Sequence, residues 1–184
     1  MLTDEHIRQV SEWASAGAAN GAAQLREIHT EDAGVEVRGV TCATLAELPE
    51  RMPCFDGDCV AGVTTRFAGG LCGTVLFAMA PEDALAWVRA NPACGDPIED
   101  FVKLGERVQS HLIDAIGNGL GVEMSAEAVQ LREDSVPLIL LGTHAPPDTA
   151  VVCVSVLVAA GEHVVPAHVY LMIEPKLLTT ALAA

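Results

Sequence analysis

Ala16-Gly17-Ala18-Ala19-Asn20-Gly21-Ala22-Ala23 lies inside a stretch whose apolar positions recur at three and four: Ile7, Val10, Trp13, Ala14, Gly17, Ala18, Gly21, Leu25 and Ile28. That spacing predicts a helix from Thr3 to about His29. Thr3, followed by Asp4, Glu5 and His6, supplies an N-cap with acids in the first turn. A glycine inside a helix costs up to ~1 kcal/mol relative to alanine. Two of them four apart, among residues almost without side chains, predict that a second long helix or a sheet presses closely on this one.

Working outward, Val35-Glu36-Val37-Arg38-Gly39-Val40 alternates like a half-buried strand, and Leu45–Met52 reads as a loop or short helix. Two strands, about Val60–Ala68 and Cys72–Ala80, flank the hairpin signal Gly69-Gly70. Pro81-Glu82-Asp83-Ala84 starts a helix that Asn91-Pro92 ends. After a linker at Ala93–Ile98, a second long helix runs from Glu99 to about Asn118, with Phe101, Leu104, Val108, Leu112, Ala115 and Ile116 on one face. Strands are predicted at about Val122–Leu131, Leu138–Gly142, Thr149–Ala159 and His163–Ile173, and Glu174-Pro175-Lys176 opens a short helix.

The order of elements thus appears twice: long helix, alternating strand, hairpin of strands, proline-started helix. The copies align when Lys103 is laid on Glu12. The prediction is one α+β domain over residues 1–184, built of two repeats (about 1–92 and 98–184) related by a pseudo-twofold axis. The two long helices would lie side by side on a shared antiparallel sheet.

Ten Lys and Arg against 25 Asp and Glu give a formal charge of −15. Phosphate-backbone binding needs a basic stripe, so nucleic acid is excluded as a partner, as is docking on anionic lipid. The longest apolar run, Ala150–Ala160, falls short of the ~20 residues of a bilayer helix. The opening Met-Leu-Thr-Asp-Glu-His lacks the pattern of a signal peptide, and the expected location is the cytoplasm. There the six cysteines read as reduced, buried small hydrophobes.

Other motifs carry little. Cys54-Phe-Asp-Gly-Asp-Cys59 is spaced too widely for a zinc knuckle, and Asp56-Gly-Asp58 lacks the ligand ladder of a calcium loop. No metal site is expected. His163 and His168, five apart, point to opposite faces of a regular strand. There is no Gly-x-Ser-x-Gly and no Cys with a positioned His. Gly117-Asn-Gly-Leu-Gly121 closes a helix rather than opening one around a phosphate.

Glu12-Trp13-Ala14-Ser15-Ala16-Gly17-Ala18-Ala19-Asn20-Gly21-Ala22 resembles the signature helix of the CheC/CheX/FliY family of chemotaxis phosphatases, approximately Glu-Ile-Gly-Asn-Ile-Gly-Ala-Gly-Asn-Ala-Ala. Lys103-Leu104-Gly105-Glu106 through Asp114-Ala115-Ile116 to Gly121 is similar to that family's second copy. Phe67–Leu76 followed by Pro81-Glu82-Asp83-Ala84 resembles its strand–strand–helix unit. The resemblance implies removal of the phosphoryl group from a CheY-type receiver, which supplies its own magnesium ion, so no cofactor belongs to this chain. On each active helix of the family a Glu pairs with a receiver lysine, and an Asn three residues later orients the attacking water. Residues three apart share a helix face, and phosphoryl transfer depends mainly on positioning.

Carried over residue by residue, this assigns catalysis to Glu12 and Ser15, with Ser15 where the family has Asn, and a binding position to Asn20. Lys103 and Glu106 replace the second Glu and Asn, so the second site is degenerate. The family's downstream proline is Arg38 in the first copy and Val129 in the second. Two readings follow. One is a weak phosphatase acting through the first helix on a phosphorylated receiver. The other is an inactive adaptor that binds a receiver or a CheD-like deamidase. A flagellar-switch role is a third, since the related FliM middle domain has the fold without the motifs. By periodicity alone, Glu12 and Ser15 are ordinary polar residues on an exposed face.

Overall fold

The computed structural model describes residues 3–28, 34–51, 59–90, 95–160, 162–174 and 180. In chain order the elements are α1 (Asp4–Ile28), β1 (Gly34–Thr44), a 3-10 turn (Leu45–Glu47) running into α2 (Leu48–Arg51), β2 (Val60–Gly69), β3 (Gly73–Met79) and α3 (Pro81–Arg89). There follow α4 (Pro97–Leu120), β4 (Met124–Ala126), β5 (Gln130–Asp134), α5 (Val136–Leu141), β6 (Ala150–Ala160) and β7 (His163–Ile173). The strands form one antiparallel sheet in the order β1-β6-β7-β3-β2-β4, with β5 pairing β2 beyond the end of β4. Matching β1, β2 and β3 to β4/β5, β6 and β7 makes this order read alike from either edge.

Alternation within the strands creates two faces. Val63, Val75, Phe77, Val154, Val156, Val169 and Leu171 point to the side covered by α1, α3 and α4, where Val10, Ala14, Trp87, Leu104 and Leu112 meet them. Leu76, Ala78, Val151, Cys153, Tyr170 and Met172 point to the opposite side, covered by Leu48 of α2 and Val136, Ile139 and Leu140 of α5. Each Val, Leu, Ile, Phe or Met among them stabilises the fold by roughly 1.5–3 kcal/mol on leaving water. In β1 the register slips between Val37 and Gly39, so a bulge at Arg38 shifts the parity. Val35 and Val37 before it, and Val40 and Cys42 after it, can therefore all serve the same core.

The long helices end as their sequences require. In α1 the Thr3 hydroxyl accepts the His6 amide at 3.3 Å. In α4 the Asp96 carboxylate accepts the amides of Ile98 (2.8 Å) and Glu99 (3.3 Å), and Gly121 closes the helix at φ 67°. The helices run antiparallel. A Cβ on Gly17 would stand 2.7 Å from the His111 carbonyl oxygen and 3.0 Å from the Ala115 Cβ, whereas Trp13 packs at Gly119. Gly17 thus admits the α4 backbone, and Gly21 faces the His111 side chain. From α4, buried Gln109 reaches into the sheet, where its amide donates to the Val63 carbonyl and its oxygen accepts the Thr65 hydroxyl at 2.8 Å.

Several expectations need correction. Leu138–Gly142 is not a strand: Pro137 starts α5, and buried Val136, Ile139 and Leu140 follow helical spacing. Its continuous apolar run is ambiguous by composition, and the spacing decides it. The strand expected over Val122–Leu131 is two strands, both on β2. Helix α4 starts at Pro97, two residues before the expected Glu99. Cys153 is buried and Cys42 half-buried, but Cys59 and Cys72 are exposed rather than part of the core. Burial pushes the Cys42 thiol up to about 11. The helix expected from Glu174-Pro175-Lys176, and Cys54, Asp56 and Asp58, lie outside the described residues. Among the described residues, no helix is long and apolar enough to cross a membrane.

Candidate functional site: the outer face of α1

Helix α1 buries Val10, Ala14, Gly17, Ala18, Gly21 and Ala22 and leaves Glu5, Arg8, Glu12, Ser15, Ala16, Ala19 and Ala23 exposed. Glu12 and Ser15, three apart, share the exposed side. Glu12 is held within its own helix: Arg8 Nη1 donates to Glu12 Oε1 at 2.6 Å. The same guanidinium bonds Glu5 through Nε (3.1 Å) and Nη2 (2.5 Å). Arg8 thereby holds the Glu5 carboxyl below its ordinary value, chiefly through that hydrogen bond. Both pairs are exposed to water, where solvent screening leaves such contacts weak. Glu12 can exchange Arg8 for another cation at little cost.

Ser15 Oγ donates its proton to the Ser11 carbonyl at 2.8 Å. That fixes the hydroxyl direction and leaves its lone pairs toward solvent as acceptors. A water held there would be oriented by accepting groups, not by the donor that an amide also offers. Asn20 is exposed too, but five residues past Ser15 it is rotated by about 140° and leaves the line of Glu12 and Ser15. On α4, Lys103 and Glu106 are exposed, with Lys103 Nζ 2.9 Å from Glu99 Oε1. Because the helices run antiparallel, the two pairs sit toward opposite ends of the helix pair and do not form one site.

The site is a surface and not a pocket. Cavities of about 540, 520 and 470 Å³ are lined by other elements: β2, β5 and α5 for the first, the ends of α4 and β4 for the second, and β3 with the loop after α5 for the third. Among the described residues, no three His, Cys, Asp or Glu side chains lie close enough to hold a metal ion. Away from this face, Ser155 Oγ and His168 Nδ1 are 3.1 Å apart across β6 and β7, with Cys153 Sγ at 3.9 Å. Sequence spacing gave no sign of that contact. Nor did it single out Arg8, whose signal was the Glu-x-x-Arg-x-x-x-Glu run Glu5–Glu12.

No family profile and no curated protein matches the sequence. Solved structures do match the fold. FliY from Thermotoga maritima aligns over 100% of this chain and 96% of its own, with a TM-score of 0.67 at 14% identity. The protein has the FliY fold. The FliM middle domain from H. pylori shares it with a TM-score of 0.62 at 11% identity, covering 99% of each chain. So does a chain of the CheX-CheY-BeF3-Mg2+ complex from Borrelia burgdorferi, with a TM-score of 0.50 at 11% identity over 92% of this chain and 97% of that one. The same fold is thus shared by FliY, the FliM middle domain and a chain of a CheX–CheY complex. At these identities the likeness concerns backbone architecture.

Proposed function

We propose that this protein docks a phosphorylated CheY-type receiver through the outer face of α1 and weakly accelerates loss of its phosphoryl group. What carries the reading is the placement of Glu12 and Ser15, three residues apart and open to solvent on that face. It also draws on the fold shared with a chain of a CheX–CheY complex. In this reading Glu12 leaves Arg8 and pairs with a lysine of the receiver, fixing the orientation of docking. Ser15 Oγ accepts a hydrogen bond from a water lying in line with the phosphorus–oxygen bond to the receiver's aspartate. The water oxygen bonds to phosphorus, the aspartyl oxygen leaves as carboxylate, and inorganic phosphate is released after a proton is lost to solvent. The receiver's magnesium ion takes up the phosphoryl charge, so this chain contributes position and not a cofactor.

The acceleration is expected to be weak for a geometric reason. A serine is shorter than the family's Asn, and a misplacement of ~1 Å can cost about a hundredfold in rate. On α4, Lys103 would repel the receiver lysine and the Glu106 carboxylate would face phosphate oxygens, which makes the second pair unproductive. One observation favours a second reading, a docking adaptor for a receiver or a CheD-like deamidase: the Ser15 proton is already committed to Ser11. A phosphoryl-release assay on a magnesium-loaded, phosphorylated receiver decides. Faster release with the protein present, lost in Glu12→Ala, supports the phosphatase. Unchanged release with measurable receiver binding moves the assignment to the adaptor.

A further inference from the structure

We infer that the cavity of about 540 Å³ between β2, β5 and α5 binds a small organic carboxylate, its charge held between Arg66 and Arg132 and its apolar body against α5. Small-molecule sites have volumes of roughly 300–1,000 Å³. The described lining comes from the sheet face opposite the long helices and not from α1, so the inference does not depend on receiver docking. Strand register sets the arrangement. On β2, Gly62 lies opposite Ala78, Thr64 opposite Leu76 and Arg66 opposite Thr74. Leu76 and Ala78 pack on the α2 and α5 side, so Thr64 and Arg66 face that side as well. On β5, Gln130 lies opposite Thr64 and Arg132 opposite Gly62. The two arginines therefore stand one row to either side of the Thr64–Gln130 row. Arg132 leans toward that row, since its Nη2 donates to Gln130 Oε1. Thr64 is a buried floor whose hydroxyl donates to the Gln130 carbonyl at 3.3 Å.

Arg8, Arg38, Arg51 and Lys103 each pair with a glutamate. Among the described residues Arg66 and Arg132 form no ion pair, although Glu127, Glu133 and Asp134 also line the cavity. Those acids stand around the arginines rather than between them. Asp134 is one row beyond Arg132, and its Oδ1 accepts the Ser135 amide at 2.8 Å. Glu133, opposite Ala61, starts from the other side of the sheet. Glu127 lies past the last β4 pair, where its amide donates to the Arg66 carbonyl at 2.8 Å. A guanidinium offers forked donors that match the two oxygens of a carboxylate. The surrounding acids and the net charge of −15 oppose a multiply charged anion, so one negative charge is selected over phosphate. Leu138 and Ile139 wall the cavity, and exposed Leu138 gives an aliphatic body a surface on which to leave water.

The test is calorimetric titration of the whole chain with sodium hexanoate, which joins a carboxylate to an aliphatic body. Parallel titrations use 1-hexanol, the body without the charge, and inorganic phosphate, an oxyanion without the body. Hexanoate should fill one saturable site and bind more tightly than either. Arg66→Gln and Arg132→Gln should each weaken hexanoate binding by about tenfold or more, as expected for lost hydrogen bonds to a charged group. Both side chains are exposed, so the far-UV circular dichroism of the variants should match that of the wild type. No saturable hexanoate binding by the wild type, or wild-type affinity in either variant, overturns the site. Hexanol binding as tightly as hexanoate would show that the guanidiniums read nothing. Phosphate binding as tightly would show the same of the α5 wall. Either result overturns the carboxylate assignment.

Discussion

The carbonyl oxygen of His111 lies 2.7 Å from the point where a side chain on Gly17 would begin. Real Cβ atoms do not come so close to a backbone oxygen, so α1 and α4 touch main chain to side-chain-free main chain at this level. Because the obstacle is backbone, it cannot rotate away.

Gly17→Ala should therefore destabilise the protein even though alanine is the better helix former by ~1 kcal/mol. Overpacking of a closed contact costs about 1–3 kcal/mol, and the net loss after the helix gain should be up to about 2 kcal/mol. Gly21→Ala is the control, because its nearest neighbour is the His111 side chain at 3.3 Å, which can give. That variant should be neutral or slightly stabilised. Urea denaturation of both reads the difference, and equal behaviour of the two would contradict the close approach at Gly17.

Gln109 and Thr65 tie α4 to β2 in the dry interior, at 1% and 2% exposure. Thr65→Val keeps the shape and removes the donor that Gln109 Oε1 needs. An orphaned buried acceptor costs about 1–3 kcal/mol, so a loss within that range is expected in chemical denaturation. Gln109→Leu should cost less in the Thr65→Val background than alone, because the two share one hydrogen-bond network. Strict additivity would mean that the pair does not interact.

Much of the fold is legible in the sequence, and unevenly so. Helices announce themselves through caps and spacing: Thr3, Pro81 and Gly121 mark termini by local chemistry, and the Gly17–Gly21 pair signals a close neighbour, whereas the Asp96 cap is hidden in a stretch that reads as linker. Leu138–Gly142 reads as a strand because Val136–Leu141, six apolar or proline residues in a row, masks the helical period. The break between Ala126 and Gln130 was hidden because both pieces face the same partner strand. At the site, Glu12 and Ser15 were legible as a pair on one face. The grip of Arg8 on Glu12 and the seat of Trp13 on Gly119 were not, since rotamers and contacts between distant segments leave no periodic trace. The Ser155–His168 contact joins strands whose register only the folded sheet sets.

His168 supplies a pH dependence with a definite sign. Burial between β6 and β3 lowers its folded value below the ordinary 6.5, because the charged ring is poorly solvated there. As pH falls through 6.5, the unfolded chain takes up a proton that the folded chain resists. Stability is thus fully present above about 6.5 and declines as pH drops toward the folded value. His168→Asn should lose less stability than wild type between pH 7.5 and 5.5 in matched urea titrations. An identical decline in both would assign the dependence to other groups.

Ser15→Asn tests the catalytic geometry directly. The asparagine side chain extends beyond the serine hydroxyl, is freed from the Ser11 carbonyl, and offers both a donor and an acceptor to a water. With Glu12 unchanged, docking should stay near its wild-type strength, because Ser15 is not needed to hold the partner. Only the water's position should improve. If shortness of reach is what limits the wild type, recovering even part of ~1 Å should raise the protein's effect on phosphoryl release by about tenfold or more. The same substitution in a Glu12→Ala background should gain nothing, because an unoriented helix cannot aim the water. Measured under single-turnover conditions with saturating protein, unchanged release by Ser15→Asn at unchanged affinity would show that this face binds without catalysing. The adaptor reading would then stand on a kinetic observation as well as on the Ser15–Ser11 bond.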